Sequence, residues 1–136
     1  MLRAMLWTAV LLAGPAMADD CPGRATEILT LTDWSLAISK DGLFDRATLT
    51  LTYRNDAAKP IAHVDAYAVF RDRWGGFIST IATRTNPGLA PGAVGSETAS
   101  YFGTGLDRIP SLDRADIVAG LCVDLVVYED GTKESF

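Results

Sequence analysis

The stretch RATLTLTYR, Arg46 to Arg54, decides the fold. Its residues alternate without a break. Ala47, Leu49, Leu51 and Tyr53 point one way, and Thr48, Thr50 and Thr52 point the other. Apolar residues on one face and β-branched hydroxyls on the other describe a half-buried antiparallel strand. The same rhythm returns, more apolar, in DIVAGLCVDLVVY, Asp116 to Tyr128. Strict alternation there assigns Ile117, Ala119, Leu121, Val123, Leu125 and Val127 to the core. It turns Cys122, Asp124 and Tyr128 away. A segment this apolar belongs in the middle of a sheet.

The intervening chain fits the same pattern, and no helical periodicity is sustained anywhere. Glu27 to Ser39 reads as a first strand, with Trp34 in the core. Ile61 to Asp72 reads as a strand with Val64, Ala66, Ala68 and Phe70 inward and His63, Asp65, Tyr67, Val69 and Arg71 outward. Phe77 to Thr85 follows the turn RWGG (Arg73–Gly76). Ala93 to Phe102 is more polar and suits an edge. NDAAKP (Asn55–Pro60) is a turn in which Asn and Asp tolerate the left-handed region, and NPGLAPG (Asn86–Gly92) carries two Pro-Gly steps. Gly103 to Ala115 has room for one helical turn, with Ser111 as N-cap and Asp113 in its first turn. Asp130-Gly131 marks a hairpin before a short terminal strand, Thr132 to Phe136. The expectation is an all-β chain: an immunoglobulin-like antiparallel β-sandwich of about seven strands with one disulfide.

Residues 1–18 stand apart. Arg3, an apolar run from Ala4 to Gly14, and Ala16-Met17-Ala18 have the build of a secretory signal peptide cleaved after Ala18. The run is too short to span a bilayer as a helix. Residues 19–136 are then a single domain of about 118 residues, periplasmic or secreted. The full chain has a formal charge of −5. Acidity argues against nucleic acid and anionic membrane surfaces as partners. Cys21 and Cys122 read as a disulfide in an oxidising compartment. A lipid-modified Cys21 fits poorly, since Asp19 and Asp20 precede it. With Cys122 turned outward, the bridge lies outside the main core and pins the N-terminal tail across the outer face.

Three turns fall in order: Asn55-Asp56 with Lys59-Pro60-Ile61, Phe70-x-Asp72-x-x-Gly75, and Leu89-x-Pro91-Gly92. Over residues 46–102 this order resembles the small bacterial envelope sandwiches of the FxLYD type, although the F-x-L-Y-D string itself is absent. The resemblance implies a non-enzymatic envelope module and brings no catalytic residues with it.

The chemistry of the chain points the same way. The mature chain has one histidine, His63, and no methionine, so soft-metal carriage lacks ligands. No G-x-S-x-G or S-x-x-K motif accompanies the serines. Asp113 and Asp116 read as turn acceptors, and the Asp107–Asp116 stretch lacks the order of a calcium loop. Gly103-Thr104-Gly105 lacks the lysine and helix of a phosphate loop. The expectation is no enzyme, no cofactor and no metal. Tyr67, Val69 and Arg71 on one strand face, with Trp74 at the next hairpin tip, form the candidate interaction surface, because aromatic rings and guanidinium groups concentrate at interface centres. Two competing readings stand beside it. The disulfide-held tail, or the Gly103–Ala115 loop, covers Tyr67 and Val69 as a minor second core, or Trp74 packs on a loop beside Tyr101 or Phe102. The function expected is a binding or accessory module that meets another envelope protein through a sheet face or strand edge. The alternative is a carrier of a small apolar ligand between the sheets, where Ala66 and Ala68 leave space.

Overall fold

A computed structural model gives the fold, and it describes Cys21 and residues 28–136. The signal peptide, its cleavage after Ala18 and the Glu27 start of the first strand lie outside the described residues. The strands are β1 (Leu29–Asp41), β2 (Phe44–Asn55), β3 (Ile61–Asp72), β4 (Phe77–Thr85), β5 (Val94–Phe102), β6 (Ile117–Tyr128) and β7 (Lys133–Ser135). They form two antiparallel sheets in the orders β1-β2-β5 and β4-β3-β6-β7. In a constant-type immunoglobulin domain the fourth strand joins the sheet of the first two. Here β4 pairs with β3 instead.

The alternation in β2 and β3 is realised as read. Ala47, Leu49, Leu51 and Tyr53 meet Val64, Ala66, Ala68 and Phe70 between the sheets. Full burial of a side chain such as Phe70 stabilises by roughly 1.5–3 kcal/mol. The threonines of β2 face outward and bond across to β5, Thr48 to Ser100 at 3.0 Å and Thr50 to Thr98 at 2.9 Å. Such cross-strand pairs hold register on a face that water also reaches. Trp34 is half-buried and meets Phe70 edge-on, with centroids 5.4 Å apart.

β6 departs from strict alternation. Its ladder with β3 pairs Asp65 with Leu125 and Ala66 with Val123, which leaves Asp124 as a bulge. One extra residue inverts the parity beyond it. Val126 and Tyr128 therefore enter the core, and Leu125 and Val127, expected inward, are only half-buried. Upstream of the bulge the expected parity holds, so Cys122 lies outside the main core.

The turns work through side chains more than through unusual backbone. No described non-glycine residue has positive φ, so Asn55 does not act through the left-handed region. It is buried and donates from Nδ2 to the Lys59 and Leu89 carbonyls, both at 3.0 Å, while Oδ1 accepts from Ala57 N–H at 2.8 Å. Asp72 Oδ1 likewise accepts from the N–H groups of Trp74 (2.9 Å) and Gly76 (2.7 Å). A Cβ on Gly76 would collide with that carboxylate. The link between β5 and β6 holds two short 3₁₀ helices, Leu106–Ser111 and Arg114–Asp116. Ser111 closes the first rather than capping a start. Its Oγ donates to the Arg108 carbonyl at 2.6 Å, and Gly105, at φ 83°, opens the helix. Leu106 and Ile109 are buried and close this end of the core.

Candidate functional site

The four residues of the expected surface differ in exposure. Tyr67 stands opposite Cys122 in the β3–β6 ladder. Cys21 and Cys122 form the disulfide, with Cα atoms 5.6 Å apart. Val69, Tyr67 and the two cysteines make a small cluster separate from the main core. Val69 is 4% exposed, so it is a packing residue and offers nothing to a partner. This corrects its place in the surface, and the cause is the covering disulfide. Tyr67 is half-buried beside it.

Arg71 lies farther along the same strand, and Trp74 follows at its tip. Arg71 Nη1 donates to the Gly75 carbonyl at 3.2 Å, and its guanidinium lies 5.9 Å from the Phe77 ring centre. Trp74 is 70% exposed at the β3–β4 tip. The Arg73 guanidinium sits 4.6 Å above its ring, held there by Asp116 at 3.0 Å.

The β3–β4 tip shares one end of the sandwich with the β1–β2 turn. Phe102, the last residue of β5, pairs with Arg46 near the start of β2. Two residues on, the Thr104 carbonyl accepts from Ser79 Oγ of β4 at 2.6 Å, and Arg108 donates to the Phe77 and Ile78 carbonyls. The start of β2, the start of β4 and the end of β5 therefore lie together. This end carries Leu43, Phe44, Trp74, Phe77 and Phe102. They are five of the eight large apolar side chains exposed among the described residues, and Leu43 is 94% exposed. Isolated exposed apolar residues mean little, and it is their gathering at one end that is informative. The charges there are largely matched: Lys40 with Asp45, Arg46 with Asp41, and Arg73 with Asp116. Arg46 also lies 5.6 Å from the Phe102 ring centre. The sequence singles out Trp74 and names Phe102 only as a packing neighbour for it; Leu43, Phe44 and Phe77 were not expected there.

A second feature lies along the side of the sandwich where β1 faces β6. Two clefts of about 280 and 350 Å³ flank Arg114. Leu31 to Leu36 of β1 form one wall, and Ile109, Pro110, Leu112 and Ile117 to Ala119 form the other. Arg114 crosses between them. Its Nη2 donates to the Trp34 carbonyl and to Asp33 Oδ1 (2.7 Å), and its guanidinium stacks 4.0 Å from the Trp34 ring centre. These clefts are at the margin of the sandwich. Ala66 and Ala68, the expected source of space between the sheets, are packed in the core.

Titratable groups elsewhere are tied into structure. His63 is half-buried between Asn86 Oδ1 (2.7 Å from Nδ1) and Asp65 Oδ1 (3.0 Å from Nε2). On the β4–β5 side, burial raises the Glu97 carboxyl above its ordinary range, and a hydrogen bond with Thr85 partly offsets this. The same hydroxyl lies 3.3 Å from the Tyr53 phenol. Burial raises the Tyr53 and Tyr101 phenols too, with Glu97 adding to both shifts. Among the described residues, no group of three or more His, Cys, Asp or Glu is placed to hold a metal ion, and no helix is long and apolar enough to cross a membrane.

Compared with protein-family models, curated proteins and solved structures, the chain gives no match.

Proposed function

We propose that the protein is a non-catalytic binding module of the bacterial envelope, exported with a cleaved signal peptide, and that it engages another envelope protein through the aromatic end of its sandwich. The observation that carries this reading is the gathering of Leu43, Phe44, Trp74, Phe77 and Phe102 at one end, all exposed. Burying such rings against a partner recovers apolar area at little cost, because their neighbouring charges are already paired. The resemblance to FxLYD-type envelope sandwiches and the Cys21–Cys122 bridge, at home in an oxidising compartment, support the same placement.

A photo-crosslinking amino acid placed at position 74 tests this in living cells, with position 94 as control. Val94 is exposed at the opposite end of the sandwich. The expected result is a discrete crosslinked species from position 74 and none from position 94. Equal, diffuse crosslinking from both contradicts the reading.

A carrier of a small apolar ligand is the second reading. The clefts beside Trp34 favour it, although they lie at the sandwich margin and not at Ala66 and Ala68. A fluorescent naphthalene-sulfonate probe displaced by a fatty acid would support it.

A further inference from the structure

We propose that the groove between β1 and β6 receives an extended, uncharged polypeptide segment, which adds as a further strand to the edge of β1 that no described strand pairs. The groove is distinct from the aromatic end, so the two proposals stand or fall separately.

The direction of the β1 backbone carries the argument. Asp56 N–H donates to the Ile28 carbonyl at 3.0 Å. Backbone groups alternate sides in an antiparallel ladder, so the even-numbered residues of β2 aim theirs at β1. Thr52, Thr50 and Thr48 stand opposite Asp33, Ser35 and Ala37. The residues between these, Trp34, Leu36 and Ile38, therefore aim their N–H and C=O groups away from β2. A second observation agrees: Arg114 reaches across the groove and donates to the Trp34 carbonyl. The opposite wall is Ile117 to Ala119, a part of β6 that β7 does not pair, since β7 meets only Leu125 to Val127.

This arrangement selects its occupant. The wall offers backbone donors and acceptors that repeat every two residues, about 6.6–6.8 Å apart. A lipid tail or a small apolar molecule would leave them without partners. An extended chain meets them and sets alternate side chains against the apolar lining. Arg114 and Asp33 are the charged residues of the lining, and they pair with one another at 2.7 Å, so the groove calls for a segment without charge. Beyond the irregularity at Leu31–Asp33, the regular stretch Trp34 to Ile38 spans about 13 Å, the length of four or five residues of an added strand. Arg114 holds the place of the first incoming N–H. Alone it would be an edge guard of the kind that blocks strand pairing. As part of the site, it is a plug that one backbone hydrogen bond displaces.

The probe is a phage-displayed random octapeptide library, selected on the full disulfide-bonded chain. The expected result is enrichment of uncharged peptides with alternating apolar residues. The best peptide, made synthetically, should slow hydrogen exchange at the Trp34, Leu36 and Ile38 amides. N-methylation of alternate peptide residues in one phase should weaken binding about tenfold or more, and in the other phase about twofold or less. Arg114→Ala should tighten binding severalfold, with hydrogen exchange elsewhere reporting an intact fold. The proposal is overturned if no peptide is enriched over a blank surface. Protection confined to other segments, or equal effects of the two methylation phases, would overturn it as well. So would unchanged or weaker binding by a folded Arg114→Ala chain, which would leave Arg114 a guard of the edge only.

Discussion

Cys122 stands opposite Tyr67 in the β3–β6 ladder, on the face of the sheet turned away from the core. Its neighbour Val123 lies between the sheets. Adjacent residues of one strand thus serve two hydrophobic clusters, and the disulfide belongs to the smaller. A bridge in that place ties down the chain ahead of β1 without joining the two sheets. The cysteines are 101 residues apart in sequence. The chain-entropy model sets the loss on removing such a bridge at up to roughly 4.7 kcal/mol. The Cys21→Ser/Cys122→Ser double variant should keep its β-sheet circular dichroism and a single cooperative transition at a lower denaturant midpoint. Loss of the sheet signal in buffer would show the bridge to be needed for the main core.

Asn55 closes the opposite end of the sandwich with three side-chain hydrogen bonds. Replacing it takes a partner from the Ala57 N–H and the Lys59 carbonyl, at up to about 1–3 kcal/mol each, while the Leu89 carbonyl keeps the Ile61 N–H. Asn55→Ala should therefore destabilise clearly in urea titration. Asn55→Asp should be no better, because it keeps the acceptor for Ala57 but sets a carboxylate against two carbonyl oxygens. A neutral Asn55→Ala would contradict the role given to this side chain.

Glu97 contributes a pH dependence of unusual sign for a carboxylate. Its folded-state value is raised by burial above the unfolded one. Its contribution is fully present below the ordinary glutamate value and is lost as pH rises through the raised one. Glu97→Gln has no such loss. The gain in melting temperature on Glu97→Gln should be larger at pH 7 than at pH 4. A gain that is the same at both values would contradict the burial argument.

Asp130 has the opposite sign. Hydrogen bonds from Thr132 and then Lys59 lower its carboxyl to about 2. The stabilisation it supplies is present above the ordinary aspartate value and is lost as pH falls toward 2. Asp130→Asn should flatten the acid limb of the stability profile between about pH 4 and pH 2, a range set by the ordinary value and the lowered one. An unchanged acid limb would argue that the β6–β7 turn does not draw on this carboxylate.

The strands were legible because β2 puts polar side chains on one parity and apolar ones on the other, and β3 does so except at Val69. β6 was legible only to Asp124. Beyond it, Leu125, Val126, Val127 and Tyr128 are all apolar or aromatic, so composition gives no sign of which parity faces inward, and the bulge decides it. Trp74 stood out at a glycine-rich tip. Leu43 and Phe44 did not, since nothing local says that the β1–β2 turn meets the same end of the fold. The groove was equally hidden. Arg114 and Trp34 are 80 residues apart, and only tertiary structure brings the guanidinium to the β1 edge.

Trp74→Ala is the most direct test of the central claim that the aromatic end is a contact surface and not a packing element. The account predicts a change in folding stability of no more than about 0.5 kcal/mol, as for other exposed sites. It also predicts loss of the species crosslinked from a photoreactive residue at position 44, at the same end of the sandwich. A stability loss of about 3 kcal/mol or more, as core aromatic truncations give, or undiminished crosslinking from position 44, would contradict it.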